Sequence, residues 1–177
     1  MRIVAGRFGG RRLTAPPGRD TRPTSDRVRE ALFSILGPLD GEAVLDLYAG
    51  SGALGIEALS RGAGSAVFVE RDTRALAALR ANLDALGVRA DVRRGDALAA
   101  LREARKRGET YDLVLCDPPY RLAPGLGRPL GEALAPVLAD GARVVTESDR
   151  RTPLDLDLEP LIDERRYGDT LIRIHLR

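Results

Sequence analysis

Tyr111-Asp112-Leu113-Val114-Leu115-Cys116-Asp117-Pro118-Pro119-Tyr120 runs from an apolar, β-prone hexapeptide straight into two prolines. The hexapeptide has few charges and reads as a buried parallel strand. Proline has no N–H to give to a ladder, so Pro118 and Pro119 stop the strand. Their fixed φ angles stiffen the elbow that follows. The Asp117 carboxylate, the Pro118 carbonyl and the Tyr120 ring are thereby held at the carboxyl end of a strand, where open α/β sheets keep their ligands. A carboxylate and a carbonyl are acceptors suited to an NH2 group, and a tyrosine ring stacks on a planar base. The same four residues also read as a rigid turn before a loop, a reading that the rest of the chain weakens.

Working outward, strands and helices alternate on both sides. Strands are expected at residues 43–47, 65–70, 88–93, 111–116 and 143–147. Helices are expected at 54–60, at 73–86 (capped by Asp72 and stopped by Gly87), at 97–107 and at 131–138. Residues 161–167 and 170–176 flank Gly168-Asp169 and read as a closing hairpin. This alternation implies an α/β fold, a doubly wound and mostly parallel seven-stranded sheet. Upstream, residues 2–8 and 11–14 read as a hairpin around Gly9-Gly10, and residues 15–23 as a proline-containing loop. Thr24 or Ser25 caps a helix with Val28, Leu32, Ile35 and Leu36 on one face, and Gly37-Pro38 ends it. We therefore expect a basic N-terminal hairpin and helix extension over residues 1–40 and a core over 41–177. Residues 121–129 read as a Gly/Pro loop long enough to cover a substrate.

Asp46-Leu47-Tyr48-Ala49-Gly50-Ser51-Gly52-Ala53-Leu54-Gly55 leaves the first strand of the core and opens a helix. Gly50 and Gly52 let backbone approach a ligand, and Glu70, twenty residues after Gly50, is placed to bind ribose hydroxyls. The pattern satisfies the dinucleotide fingerprint, so a nicotinamide-dependent dehydrogenase competes with any other nucleotide-cofactor enzyme. Three acids turn the choice. Asp46 inside the loop would repel a pyrophosphate but suits a ligand carrying an ammonium and a sulfonium. Asp96 ends the third strand, where it can accept from an adenine amino group or simply cap the next helix. Asp117 faces the place where the reacting end of a cofactor would lie.

The 177 residues suit one domain, and the 44% apolar fraction suffices for its core. No run of about twenty apolar residues predicts a membrane span, and no signal pattern opens the chain, so a cytoplasmic protein is expected. The single cysteine, Cys116, rules out an internal disulfide framework and reads as a buried strand residue. The single histidine, His175, argues against a metal site or a Ser-His-Asp triad. Net charge is +2, but residues 1–30 carry eight arginines against three acids. An arginine-rich arm suggests a phosphate backbone as partner, with Arg22, Arg27 and Arg29 near a helix start as the candidate contacts. A general arginine bias would give the same composition, since Lys106 is the only lysine.

With these residues assembled, the chain resembles the class I S-adenosylmethionine (SAM) methyltransferases, and within them the bacterial RsmD-type 16S ribosomal RNA guanine-N2 methyltransferases. The likeness runs nearly end to end: residues 2–6, Arg22-Pro23-Thr24 with 26–33, 46–63, Asn82-Leu83, 117–120 and Tyr167-Gly168-Asp169-Thr170. Asp-Pro-Pro-Tyr is shared with other amino methylases, whereas the Arg-Pro-Thr helix and Ser60-Arg61-Gly62-Ala63 are more specific. The resemblance implies SAM as cofactor, with the methionine portion held by Asp46, Tyr48, Gly50 and Gly52, the ribose by Glu70 and the adenine by Asp96. It implies that Asp117 and the Pro118 carbonyl accept the two amino hydrogens of guanine while Tyr120 stacks on the base. An ordinary aspartate pKa would make Asp117 a weak base. The implied partner is 16S rRNA within a small-subunit assembly particle, and a monomer without metal is expected. The alternatives are a DNA adenine-N6 methyltransferase, a protein glutamine methylase, a catalytically silent RNA-binding assembly factor and the dehydrogenase.

Overall fold

The computed structural model describes residues 1–16, 26–123 and 125–177, with Tyr120 described in its backbone only. Arg22, the Thr24 or Ser25 cap and the ring of Tyr120 lie outside what is described. Seven strands form one sheet: β1 Ala43–Leu47, β2 Ser65–Glu70, β3 Asp91–Arg94, β4 Tyr111–Cys116, β5 Leu138–Asp149, β6 Leu161–Tyr167 and β7 Thr170–Leu176, in the order β3-β2-β1-β4-β5-β7-β6. β1 to β5 pair in parallel, and β7 runs antiparallel between β5 and β6. The helices are α1 Asp26–Leu36, α2 Ala53–Ser60, α3 Thr73–Leu86, α4 Ala97–Lys106 and α5 Gly127–Leu134. The doubly wound, mostly parallel sheet expected from the alternation is the one found.

Two apolar layers sandwich it. Val44, Phe68, Leu113, Leu115 and Val145 on one face pack with Leu32 and Phe33 of α1, Ile56 and Leu59 of α2 and Leu79 and Leu83 of α3. Leu45, Leu47, Val69, Val114 and Cys116 on the other pack with Leu101 of α4 and Leu130 and Leu134 of α5. Central strands buried on both faces explain why they read as unbroken apolar runs. Burying each large side chain contributes roughly 1.5–3 kcal/mol. Between β1 and β4 the chain's order along the sheet reverses, and the carboxyl ends of strands at such a switch point are where open α/β sheets bind their ligands.

Several boundaries differ from the sequence reading, each for a local reason. β3 starts at Asp91, not at residue 88. Gly87 is left-handed (φ 67°), and Val88 N–H bonds back to Leu83 O at 3.0 Å, so Val88 belongs to the stop of α3. α5 starts at Gly127 and ends at Leu134, followed by a 3-10 turn over Ala135–Val137. The stretch expected as a long loop is instead a 3-10 turn at Tyr120–Leu122 and the first turn of α5. β5 extends through the turn-like Asp140-Gly141, where Gly141 (φ 75°) donates to Arg177 O. On α1 the buried side is Val28, Arg29, Leu32, Phe33 and Leu36, and Ile35, on the rim of that arc, is 39% exposed.

The N-terminal hairpin keeps one bridge, Arg2 with Arg12, with Ile3 N–H donating to Arg11 O and Leu13 N–H to Met1 O, while the donors of the following residues turn to α2. The Val4 and Ala5 N–H groups donate to the Glu57 carboxylate at 2.7 and 3.1 Å. Phe8 N–H donates to Ser60 Oγ at 3.0 Å and Arg7 N–H to Ser60 O at 2.8 Å. Ile3 and Leu13 join the same apolar layer as α1 and α2, so the described part of the extension shares the core of the sheet.

Candidate active site

This switch point is framed by a stiff loop. Leaving β1, Tyr48 (φ 61°), Gly50 (φ 57°) and Gly52 (φ 82°) take left-handed conformations on the way into α2. A tyrosine there is strained and marks a constrained site. Gly50 N–H donates to Glu70 Oε2 at 2.8 Å, while Glu70 Oε1 accepts from Arg71 and Asp72 N–H at 2.8 Å each. Asn82 of α3, 3% exposed, donates to Ser51 O at 2.9 Å and grips Thr14 through both its amide N–H and its carbonyl. The loop is thus tied to β2, to α3 and to the extension.

The two loop glycines have different reasons. A Cβ on Gly50 would meet nothing closer than Tyr48 O at 4.0 Å, so the space above it is open to a ligand. A Cβ on Gly52 would lie 2.3 Å from Leu79 Cδ1, so this glycine serves the packing of α2 on α3. The packing reason adds to the expected approach of its backbone to a ligand. Asp96 accepts from Ala99 N–H at 3.2 Å and caps α4. Tyr48 is half-buried against the second apolar layer, and burial pushes its hydroxyl pKa up.

Acids line the carboxyl ends of the strands. Asp46 on β1 is 1% exposed, and its Oδ2 accepts from Gly55 N–H at 2.8 Å. Burial pushes its pKa up to about 7, against the lowering effect of that hydrogen bond and with a further push from Glu70. Asp117 follows the last residue of β4. Burial, then the charges of Glu147 and Asp46, hold its pKa well above the usual carboxylate range, which corrects the expectation of an ordinary, weak base. Glu147 on β5 is 6% exposed and was not singled out in the sequence; an acid directly after Val144-Val145-Thr146 in a core strand is the signal that could have found it. Burial and the neighbouring Asp117 and Asp46 charges push the Cys116 thiol up, which makes it inert. Among the described residues, no group of three or more His, Cys, Asp or Glu side chains is arranged to hold a metal, and no helix is long and apolar enough to cross a membrane.

The arginines separate. Arg27 is exposed on the first turn of α1. Arg29 is fully enclosed: it donates to Arg2 O and to Asp26 Oδ1 (2.7 Å) and lies 3.6 Å from Glu57 Oε2. This corrects its expected contact with a phosphate backbone, because a guanidinium that is 0% exposed has no face for solvent.

Known proteins show the same frame. The profile of the family described as Conserved hypothetical protein 95 matches residues 1–175. The Bacillus subtilis (strain 168) protein YlbH, provisionally named an rRNA methyltransferase, is 39% identical over 185 residues, covering 99% of this chain and 98% of its own length. Ribosomal RNA small subunit methyltransferase D of Escherichia coli (strain K12) is 42% identical over 123 residues, covering 68% of this chain and 61% of that protein. The solved structure of Escherichia coli yhhF, provisionally described as a methyltransferase, superposes with a TM-score of 0.85 at 37% identity, covering 100% of this chain and 97% of that one. A left-handed loop held open above Gly50, a carboxylate row beside it and these matches lead to one assignment: the chain belongs to the Conserved hypothetical protein 95 family, the RsmD type within the class I SAM-dependent methyltransferases.

Proposed function

We propose that this protein methylates the exocyclic N2 of a guanine in small-subunit ribosomal RNA. The observation that carries the reading is the position of Asp117: a half-buried carboxylate at the carboxyl end of β4, beside the chain reversal, across from the loop at residues 46–55. The names of the relatives supply the RNA class.

The residues fit a cationic nucleoside cofactor. The space over Gly50 is open, and the acids Glu70, Asp46 and Asp117 lie at the strand ends beside it; a bound cation would favour the ionised forms of Asp46 and Asp117, which burial alone disfavours. Asp46 and Tyr48, with the Gly50 backbone, would hold the methionine portion, Glu70 the ribose and Asp96 the adenine. Bound SAM supplies an electrophilic methyl group on a sulfonium. The N2 lone pair of guanine is delocalised into the ring and is a poor nucleophile. Asp117 and the Pro118 carbonyl, accepting the two amino hydrogens, bias the nitrogen toward a nucleophilic geometry and stabilise the charge that develops on it. As the N–C bond forms, the nitrogen sheds a proton, and Asp117, with its raised pKa, is matched to receive it. Pro118 and Pro119 fix the elbow, so much of the gain is orientation. Tyr120 would stack on the extruded base, and Arg27, with Arg22, would contact RNA phosphates. We place the reaction in the cytoplasm, on an assembling small subunit, with the protein acting as a monomer.

The test is transfer of tritiated methyl from SAM to unmethylated small subunits, naked 16S RNA and plasmid DNA, with the product nucleoside identified by mass spectrometry. N2-methylguanosine in an RNA fraction is the expected result. N6-methyladenine in DNA would keep the Asp117 chemistry and overturn the substrate.

A further inference from the structure

Beside Asp117, on the side away from the cofactor loop, stands Glu147, which the scheme above does not use. β4 and β5 pair in parallel through Leu115 with Val145 and Cys116 with Thr146. Asp117 and Glu147 are therefore neighbours one step further along, on strands about 4.8 Å apart. Side chains alternate across a strand. Leu115 and Val145 face the apolar layer under α1 and α2, so the residues two steps on project to that same side. The two charges sense each other: Glu147 is the strongest charged influence on Asp117.

We propose, resting on the guanine reading above, that Glu147 accepts the N1–H of the target base while Asp117 accepts from its N2 amino group, so that the pair confines methylation to guanine. Guanine presents N1–H and N2–H as adjacent donors on its Watson–Crick edge, the edge by which extruded bases are read. Adenine presents an acceptor at N1 beside its amino group, and a carboxylate opposite that lone pair repels it. Two acceptors on adjacent strands match two adjacent donors, and the mismatch works against the wrong base. A carboxylate offers about four acceptor sites, so this contact adds to those Glu147 makes within the fold.

The test compares RNA carrying the target guanosine with the same RNA carrying 2,6-diaminopurine riboside there. That base keeps the N2 amino group but has an unprotonated N1. The wild-type protein is expected to prefer guanine by about 100-fold or more in kcat/KM, as sites built around a hydrogen bond do. In E147Q, whose amide can donate to N1, the preference should narrow by at least about ten-fold, with affinity for S-adenosylhomocysteine and Tm near wild type. An unchanged preference in folded E147Q, or equal loss on both bases, overturns the proposal and leaves Glu147 a scaffold residue. Should E147Q fail to fold, the wild-type comparison decides alone: equal turnover of the two bases overturns it. Absence of N2-methylguanosine with the wild-type protein on any RNA is a different result, which overturns the guanine reading and this proposal together.

Discussion

At the scale of single residues, Asp117 and Asp46 carry the sharpest expectations. Replacing Asp117 by Ala removes an acceptor made stronger in the transition state, and methyl transfer should fall at least about 100-fold. Affinity for S-adenosylhomocysteine, read by calorimetry, should stay within a few-fold. Because Asp117 must be ionised to accept, and its pKa is raised, the acid limb of kcat/KM should lie well above the ordinary carboxylate range. A limb near pH 4 would count against it. Asp46 makes a stability prediction. Its folded pKa of about 7 exceeds its unfolded value of 3.8, so the folded state binds the proton more tightly. Its contribution is present below pH 4, is lost as pH rises from about 4 to about 7, and is constant above. An Asp46→Asn variant keeps an acceptor for Gly55 N–H and has no such loss. In the absence of cofactor its Tm should gain on wild type between pH 5 and pH 8, by the equivalent of up to a few kcal/mol. A gap that does not change with pH would sink the account.

At the scale of elements, glycines are the places where packing and local propensity part company. Gly131 reads as the opening of a helix, yet it sits inside α5. A Cβ there would lie 1.8 Å from Leu156 O, and one on Gly127 would lie 1.8 Å from Asp155 O. α5 therefore lies backbone to backbone on the segment at residues 155–156, one turn apart. Gly131→Ala cannot be absorbed by a flexible side chain, and it should destabilise the protein by about 1–3 kcal/mol or more in urea unfolding, as overpacking does. Ordinary stability would show that this segment yields. The α3 cap by Asp72, with N–H donors from Arg74 and Ala75 at 2.9 Å, needed no tertiary information and was legible. The start of β3 was not, because Val88 has the side chain of a strand residue and the hydrogen bond of a helix stop.

At the scale of the whole molecule, Glu57 joins the extension to the core. Its buried carboxylate accepts from Val4 and Ala5 N–H and from Arg61 Nε at 2.7 Å, with Arg29 Nε nearby. Removing one member of a buried charged set leaves the others uncompensated, so Glu57→Ala should cost about 3–5 kcal/mol. Unfolding should remain a single transition, since Ile3 and Leu13 share the core with α1 and α2. An early separate transition of the first residues would show an independent unit. Arg27→Ala should leave cofactor affinity intact while weakening RNA binding by several-fold and flattening its salt dependence by about one phosphate contact. Equal RNA binding by titration would remove Arg27 from the interface.

The sequence by itself determined what local chemistry can dictate. Apolar runs and turn residues marked five parallel strands and a closing hairpin, the glycine loop marked where α2 begins, and Asp-Pro-Pro-Tyr marked an acceptor at a strand end. Tertiary structure decided which of those groups are what they look like. Arg27 and Arg29 are two positions apart in one arginine-rich helix, and only the fold sends one to solvent and the other against Glu57. Gly50 and Gly52 are the same residue in one motif, and only the position of Leu79 separates open space from a packing contact. Glu147 lies thirty residues from Asp117 along the chain, and only the parallel register of β4 and β5 makes them neighbours. Burial and long-range pairing depend on where every other segment settles, and a residue's own type and near neighbours do not encode that.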